Sequence, residues 1–514
     1  MNTFKRKALS CAILGGLAVA SGAAQAVYED PNGLGQALIY PYYTVQTAGG
    51  NSYNTYLSVV NTTSRAKAVK VRFREGKNSR EVLDFNLYLS PNDVWTAALG
   101  AADATATSAA IIVTGDKSCT APVIPTAGQP FRNFSYVGTG NTDGGPTTLD
   151  RTREGYFEVI EMANLTGAAA TAVTHNSAGV PNNCAFVQPE NGFTQATNAA
   201  FLTPPSGGLT GTYQLINVPA GLNFGGNATA LAQFSSSVGT ANIFTDIGNE
   251  FTNLGSANPP VAVTVANNLQ PPAVSGPGTT TYVATYANGW DAVSATMMHN
   301  AVINEYSLDV ATKSATDWVL TFPTKNHYVS PPLTVAIPPF TNVFGANGSC
   351  EPISLTVFNR EEATPVTGGS TPFSPLPPGV TGPALCWEAQ VVSFAATGAA
   401  AQTASSVLSS QNFNTVSVPF QNGWMSIGFT GTGATTGLSS VTGTGTVTNI
   451  NTGAVSGAAT VNYKGLPVIG FAVRTLNNGS ALSCATSTGA TATCAGAYGV
   501  LLDHKYTVAV TPTP

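Results

Sequence analysis

Between residues 35 and 99, apolar and polar positions alternate with a period of two, the spacing of strands that hold one face in a core. Tyr53 to Val60 alternates into a turn at Asn61-Thr62-Thr63-Ser64. Val69, Val71 and Phe73 then alternate with Lys70, Arg72 and Arg74. That pattern predicts a half-buried strand with a basic, solvated outer face balanced by Glu75, Glu81 and Asp84. Glu75 to Ser79 makes the next turn, and Val82, Phe85, Leu87 and Leu89 lead to another at Ser90-Pro91-Asn92-Asp93. Strand and turn alternating at about ten-residue intervals is the pattern of an immunoglobulin-like antiparallel sandwich.

Beyond residue 100 the pattern loosens. Residues 116–150 and 176–212 are rich in Gly, Pro, Asn and Thr and predict long surface loops. Gly155 to Met162 reads as a strand, with Glu158 and Glu161 on opposite faces by parity. Gly226 to Phe234 predicts one short helix, and Asp291 to Met298 a second with Asp291 as its N-cap. Alternation returns at Val416, Val418 and Phe420, at Ile427 and Phe429, and at Val441 and Val447. The expected fold is mainly β: immunoglobulin-like antiparallel β-sandwich domains with long Gly/Pro/Asn/Thr-rich loops and one or two short helices. The expected units are a signal peptide at 1–26, an N-terminal β-sandwich at 27–115, a loop-rich β region at 116–290 and a C-terminal β-sandwich region at 291–514.

Charge changes this picture. Only 9% of the 514 residues are charged, against about 25% in an ordinary globular chain. Disorder is not the cause, because 43% of positions are hydrophobic. The formal charge of −5 argues against a nucleic-acid partner, which would demand a clustered basic surface. Asn191 to Thr245, Phe251 to Trp290 and Ala389 to Tyr463 contain no charged residue. A β-surface without gatekeeper charges is prone to edge-to-edge association, which points to a surface meant to associate.

Lys5, Arg6 and Lys7, then the apolar run from Ala8 to Ala18, then Ala24-Gln25-Ala26, have the layout of a cleaved secretory signal, with Val27 as the first mature residue. Cys11 lies inside the apolar run, the wrong place for lipidation. No later segment is long and apolar enough to span a membrane as a helix. In an oxidising compartment the remaining six cysteines predict bridges. Sequential pairing is simplest: Cys119 with Cys184, Cys350 with Cys386, and Cys484 with Cys494, each closing a Gly/Asn/Thr/Pro-rich excursion. None of His175, His299, His327 and His504 stands at zinc-ligand spacing from a cysteine, so no metal and no cofactor is expected.

Several blocks together resemble a family of uncharacterised secreted or cell-surface proteins of Gram-negative bacteria. They are Ile39 to Thr44, Val59 to Thr63, Val69 to Asn86, Leu89 to Trp95, Arg153 to Met162, Asn304 to Tyr306, Thr316 to Lys325, Phe358 to Glu362 and Asp503 to Tyr506. The likeness covers most of the mature chain. It implies an exported location and brings no activity with it.

Catalytic motifs are missing: there is no G-x-S-x-G elbow, H-E-x-x-H, phosphate loop or EF-hand. The carboxylates Glu305, Asp317, Glu361 and Glu362 are the best material for a glycosidase pair, but Arg360 beside Glu361 and the strand pattern at Asp317 favour structural ion pairs. Asn141, Asp143 and Asp150 are hard oxygen ligands without a calcium-loop spacing. Tyr40, Tyr42, Tyr43, Trp290, Trp387 and Trp424 have the chemistry to stack on sugars, or to fill cores. The basic stretch Arg65, Lys67, Lys70, Arg72, Arg74, Lys77 and Arg80 would face an anionic polymer or an acidic subunit if it were free. The sequence thus points to a non-enzymatic structural protein, secreted or at the cell surface (a periplasmic location is the near variant). It is expected to self-associate or to bind other surface proteins or polysaccharide. Polysaccharide binding is the alternative function, and hydrolysis a distant third.

Overall fold

The alternation over residues 35–99 does become strands, but strands of two sheets at once. The computed structural model describes residues 25–236, 242–268, 278–364, 383–429, 440–449, 455–477, 482–485, 491–494 and 496–513. Residues 1–24, nearly all of the expected signal, lie outside it. In chain order the first strands are β1 (Tyr28–Glu29), β2 (Ala37–Thr44), β3 (Tyr53–Asn61), β4 (Lys67–Glu75), β5 (Glu81–Leu89), β6 (Val94–Ala101) and β7 (Ala110–Val113). After them come β8 (Cys119–Ala121), β9 (Gln129–Pro130), β10 (Glu154–Leu165), β11 (Leu202–Thr203), β12 (Leu209–Asn217), β13 (Leu222–Asn227) and β14 (Thr229–Ala232). One sheet runs β1-β14-β2-β10-β4-β5-β8, with β11 beside β10, and the other runs β13-β12-β3-β6-β7-β9. Strands from both sides of residue 115 therefore build the same two antiparallel sheets.

A shared core lies between these sheets. Val69, Val71 and Phe73 of β4 and Phe157 and Val159 of β10 meet Leu57 and Val59 of β3 and Trp95 of β6 there. Phe73 stacks on Phe157, and Phe85 leans on Trp95. Both β4 and β10 are buried along their whole length, on both faces. At Gly155 the strands come too close for a side chain, because a Cβ would stand 2.0 Å from the Arg74 carbonyl oxygen.

Past residue 260 three larger sheets form. Val261–Asn268, Gly278–Thr285, Ser440–Asn449, Val455–Lys464 and Ala509–Thr513 lie side by side in that order. Ser354–Asn359, Asn422–Gly428, Ala301–Ser307 and Lys505–Thr507 make a second sheet. Phe413–Val418, Ala389–Ala396, Ala315–Thr321, Ile469–Asn477 and Ala497–Asp503 make the third. This third sheet serves two cores by parity. Val319, Val391 and Phe471 enter the core of the N-terminal sheets, whereas Trp318, Leu320, Val392 and Phe394 enter a second core with Val302, Tyr306 and Ile427. Such two-sided burial covers Ala389–Ala395 without a break, including the polar Gln390 and Ser393. Ala389–Ala396 and Phe413–Val418 pair in parallel, an exception to the antiparallel expectation. Residues 397–412 make the crossover.

Two helix expectations are corrected. Gly226 to Phe234 does not coil: it ends β13 and supplies β14, whose Leu231 and Ala230 pair with Ala37 and Leu38 of β2. Pairing with a buried strand outweighs the modest helix propensity of this Ala/Leu stretch. The second helix forms as Gly289–Thr296, but its N-cap is Asn288, whose side chain accepts from the Asp291 amide at 3.0 Å. Asp291 lies in the first turn, where its charge suits the helix dipole.

Replacing Gly155 by Ala should force β4 and β10 apart and lower stability by about 1–3 kcal/mol, readable by urea unfolding. An unchanged midpoint would mean that the strands have slack there.

Candidate functional site

The basic strand face is not solvated, which corrects the reading of β4. Lys70, Arg72 and Arg74 are buried because residues 243–253 lie across them: Arg72 donates to the Asn249 carbonyl at 3.1 Å and Asn86 to that of Thr245 at 3.1 Å. Each cation has a carboxylate. Lys70 meets Asp84 at 3.2 Å, Arg74 meets Glu158 at 2.6 Å, Lys67 meets Glu161 at 2.6 Å, and Arg72 meets Glu81. Of the seven basic residues only Arg65 is exposed, with Lys77 and Arg80 half-buried. They form no free surface for an anionic polymer.

Where β4 turns into β5, this ionic layer becomes a junction between the N-terminal sheets and the rest of the chain. Arg151 clamps Glu75 through two bonds of 2.7 and 2.8 Å and holds Asp143 at 2.6 Å. Asp143, a candidate calcium ligand by chemistry, thus has Arg151 and Asn78 on its oxygens. No group of three or more His, Cys, Asp or Glu side chains gathers at metal-binding range among the described residues. Glu154 accepts five hydrogen bonds: from Tyr42, Gln46 and Ser410 side chains and from the amides of Gln411 and Asn412. Gly76 contributes its carbonyl to the amides of Glu388 and Ala389. Glu388 is fully buried and accepts from Ser79, and desolvation pushes its carboxyl up to about 8. Nearby, Lys325 donates to the Ser349 and Cys386 carbonyls at 2.6 and 3.3 Å, and burial pulls its amine down to about 8.

The carboxylates considered for glycosidase chemistry are dispersed in environment. Asp317 is buried and accepts from the Val407 and Leu408 amides at 2.9 and 2.8 Å, so it anchors the crossover loop. Burial raises its pKa. Glu305 is exposed and 3.6 Å from Arg474, while Glu361 and Glu362 sit in an exposed turn with Arg360 3.5 Å from Glu361. Of the histidines, His504 is locked between Asn304 and the Val319 carbonyl and held neutral by burial at about 3. His299 stacks on Tyr506 and His327 on Trp290. His175 meets Ser90 and Asp93, but both reach the same ring nitrogen, Nδ1, and Ser90 donates to Asp93. A proton relay needs them on opposite nitrogens.

No protein-family model matches this chain. No curated protein and no solved structure matches it either.

Two predicted bridges are present, Cys119–Cys184 and Cys350–Cys386, closing 65 and 36 residues. Trp387 packs on the second. Cys484 and Cys494 lie on the two strands of a hairpin, opposite Ala492 and Leu482, and their side chains fall outside the described residues. Tyr40, Tyr42 and Tyr43 are wholly buried, and Trp424 is exposed, stacked on Phe358.

One concave surface stands apart. On the outer face of β3, β6, β7 and β12 a groove of about 560 Å³ is lined by Tyr56, Ser58, Thr96, Thr114, Thr212 and Gln214, all uncharged. It follows from the period of two: Leu57, Trp95 and Tyr213 point into the core, and their neighbours Tyr56, Thr96 and Thr212 point out. Tyr56 is 49% exposed.

Glu388 keeps its proton in the folded state up to about 8, whereas an unfolded glutamate loses it near 4.5, so stability should fall as pH rises across that window. Lys325 is deprotonated above about 8 when folded and near 10.5 when unfolded, so it should return stability across that higher window. Thermal melts should therefore pass through a minimum near pH 8. Glu388→Gln should remove up to about 1.4 kcal/mol per pH unit from the falling limb, and a limb of unchanged slope would overturn the assignment.

Proposed function

We propose that this chain is an exported structural protein of a bacterial cell surface that assembles with copies of itself through β-edges and uncharged polar faces. The observation that carries this reading is the sheet ending in Ala509–Thr513. Its five strands contain a single charged residue, Lys464. Among the described residues Ala509–Thr513 pairs on one side alone, with Val455–Lys464. Edges that must stay apart normally carry charge, proline or a covering element; this one has Pro512 near its end but no charge. Two disulfides support an extracellular or periplasmic location, and no helix among the described residues is long and apolar enough to cross a membrane. The likeness to secreted Gram-negative surface proteins and the immunoglobulin-like reading of the paired sheets belong to the same proposal.

The groove beneath Tyr56 favours one other reading, a polysaccharide-binding module. An exposed aromatic ring amid hydroxyl and amide side chains has the chemistry to stack on a sugar and bond its hydroxyls.

Oxidised protein beginning at Val27 should form ordered polymers in negative-stain images and scatter light increasingly with concentration. Val510→Lys, which places a charge on the edge strand where Val510 packs partly on the core, should keep a cooperative thermal melt and leave the protein monomeric. A wild type that stays monomeric at every concentration would overturn assembly. In that case a glycan that raises the melting temperature, with the shift lost in Tyr56→Ala, would establish the second reading.

A further inference from the structure

Lys67 opens β4 directly opposite Asn164 of β10, at the centre of the first sheet. Both are buried, as is Glu161. Residues 161 and 164 would fall on opposite faces of a regular strand, but the register against β4 slips between Glu161 and Ala163 and brings both to Lys67. The Lys67 amine donates to Glu161 Oε1 at 2.6 Å, Ser206 Oγ at 2.9 Å and Asn164 Oδ1 at 3.2 Å. Ser206 Oγ in turn donates to Asn164 Oδ1 at 2.9 Å. The backbone amides of Ser206 and Gly207 hold the Glu161 carboxylate at 2.9 and 2.7 Å, and Asn164 Nδ2 donates to the Pro204 carbonyl. A nucleophile, a carboxamide and a proton carrier, all three buried, are thus fixed together with the hydroxyl of the more exposed Ser206 on the carboxamide oxygen. The other buried lysines lack this arrangement: Lys70 donates to Asp84, and Lys325 to two backbone carbonyls.

We propose that Lys67 and Asn164 join in an intramolecular isopeptide bond, with Glu161 carrying the protons. The neutral Lys67 Nζ attacks Asn164 Cγ, one bond beyond Oδ1, and a C–N bond forms as Oδ1 takes the negative charge. The Ser206 hydroxyl donates to that oxygen. Glu161, already carrying the proton passed from the amine, delivers it to Asn164 Nδ2 and takes in its place the proton that Nζ sheds; the Cγ–Nδ2 bond breaks and ammonia leaves. Amine plus primary amide becomes secondary amide plus ammonia, so no oxidant or reductant enters. Burial favours the starting state, since desolvation lowers the Lys67 pKa and raises that of Glu161, and passing the proton from amine to carboxylate leaves both neutral. Holding the groups in one geometry supplies the rate that free amine and amide lack.

The test is the intact mass of the reduced, full-length folded protein. It should be about 17 Da below the sequence mass, one ammonia lost. Tryptic mapping should find Lys67 uncleaved and its peptide joined to the one that contains Asn164. Lys67→Arg and Glu161→Gln should each restore the full mass and lower the melting temperature. Full mass in the wild type, with separate Lys67 and Asn164 peptides, would overturn the proposal and leave an ordinary buried ion pair. So would a loss of the same mass mapped to a cyclised asparagine elsewhere. Because the wild type carries the reading, variants that fail to fold do not blunt the test. Retention of the link in folded Glu161→Gln would overturn the role of Glu161.

Discussion

A carboxylate taken out of water costs several kcal/mol unless its lone pairs are filled, and Glu154 is such a group. Two of its five partners, Tyr42 and Gln46, come from the N-terminal sheets, and three, Ser410, Gln411 and Asn412, come from the crossover loop of the third C-terminal sheet. Meeting the demand of that one group therefore fixes where a loop some 250 residues later must run. Asp317 makes the same demand from the other side, drawing in the Val407 and Leu408 amides. Held by both carboxylates, the loop delivers Phe413–Val418 to the sheet edge in the parallel sense. Tyr53 adds a bond to the Val407 carbonyl at 2.7 Å, and Asn51 one to Ser409 at 2.5 Å. Four of these loop donors are backbone amides, which any sequence would supply but only in this one path, and the hydroxyls of Ser409 and Ser410 add what only those side chains can.

The same economy of charge accounts for the outside of the molecule. Fifteen charged residues are buried among the described ones, a third of the 45 in the whole chain. A chain already poor in charge thus spends much of it on internal pairs. Buried pairs contribute little net stability against apolar replacements, but a cation left without its carboxylate is strongly destabilising, so they act against alternative registers of β4 and β10. What remains for the surface is mainly Thr, Ser, Asn and Gly. Internal pairing and the long uncharged stretches of the exterior have one cause.

How much of this was legible in the sequence depends on what parity can see. A period of two identified β3, β4 and β5, and it placed Val69, Val71 and Phe73 in the core. It also assigned Lys70, Arg72 and Arg74 to solvent, because alternation reports one covered face and is silent about a second layer such as residues 243–253. The cysteine pairs at 119/184 and 350/386 were readable because each brackets a loop-rich excursion. The junction was not, although a signal existed. In a chain with so few charges, the dense mixed clusters at 65–84 and 150–161 are out of proportion, and balanced clusters of both signs are what buried pairing requires. Glu388 left no such trace, since its partners Ser79 and Gly76 are uncharged. The slip in β10 defeated parity too: Glu161 and Asn164 look separated by a sheet and in fact share Lys67.

The restraints concentrate on one place. The Lys67, Arg72 and Arg74 ion pairs, the Glu75–Arg151 clamp and the Glu154 junction all touch β4, β10 or the turn between β4 and β5. Cys119–Cys184 anchors β8 at the edge of that sheet to the loop region beyond it. By contrast the sheet ending in Ala509–Thr513 is held by backbone ladders, the helix Gly289–Thr296 and apolar contacts such as Tyr282 with Tyr463. A load applied across the molecule would meet ionic restraints in the middle and hydrogen-bonded edges at the periphery. For the edge-to-edge assembly proposed above this is the favourable order, because contacts could form and rearrange outside without loosening the body that carries them.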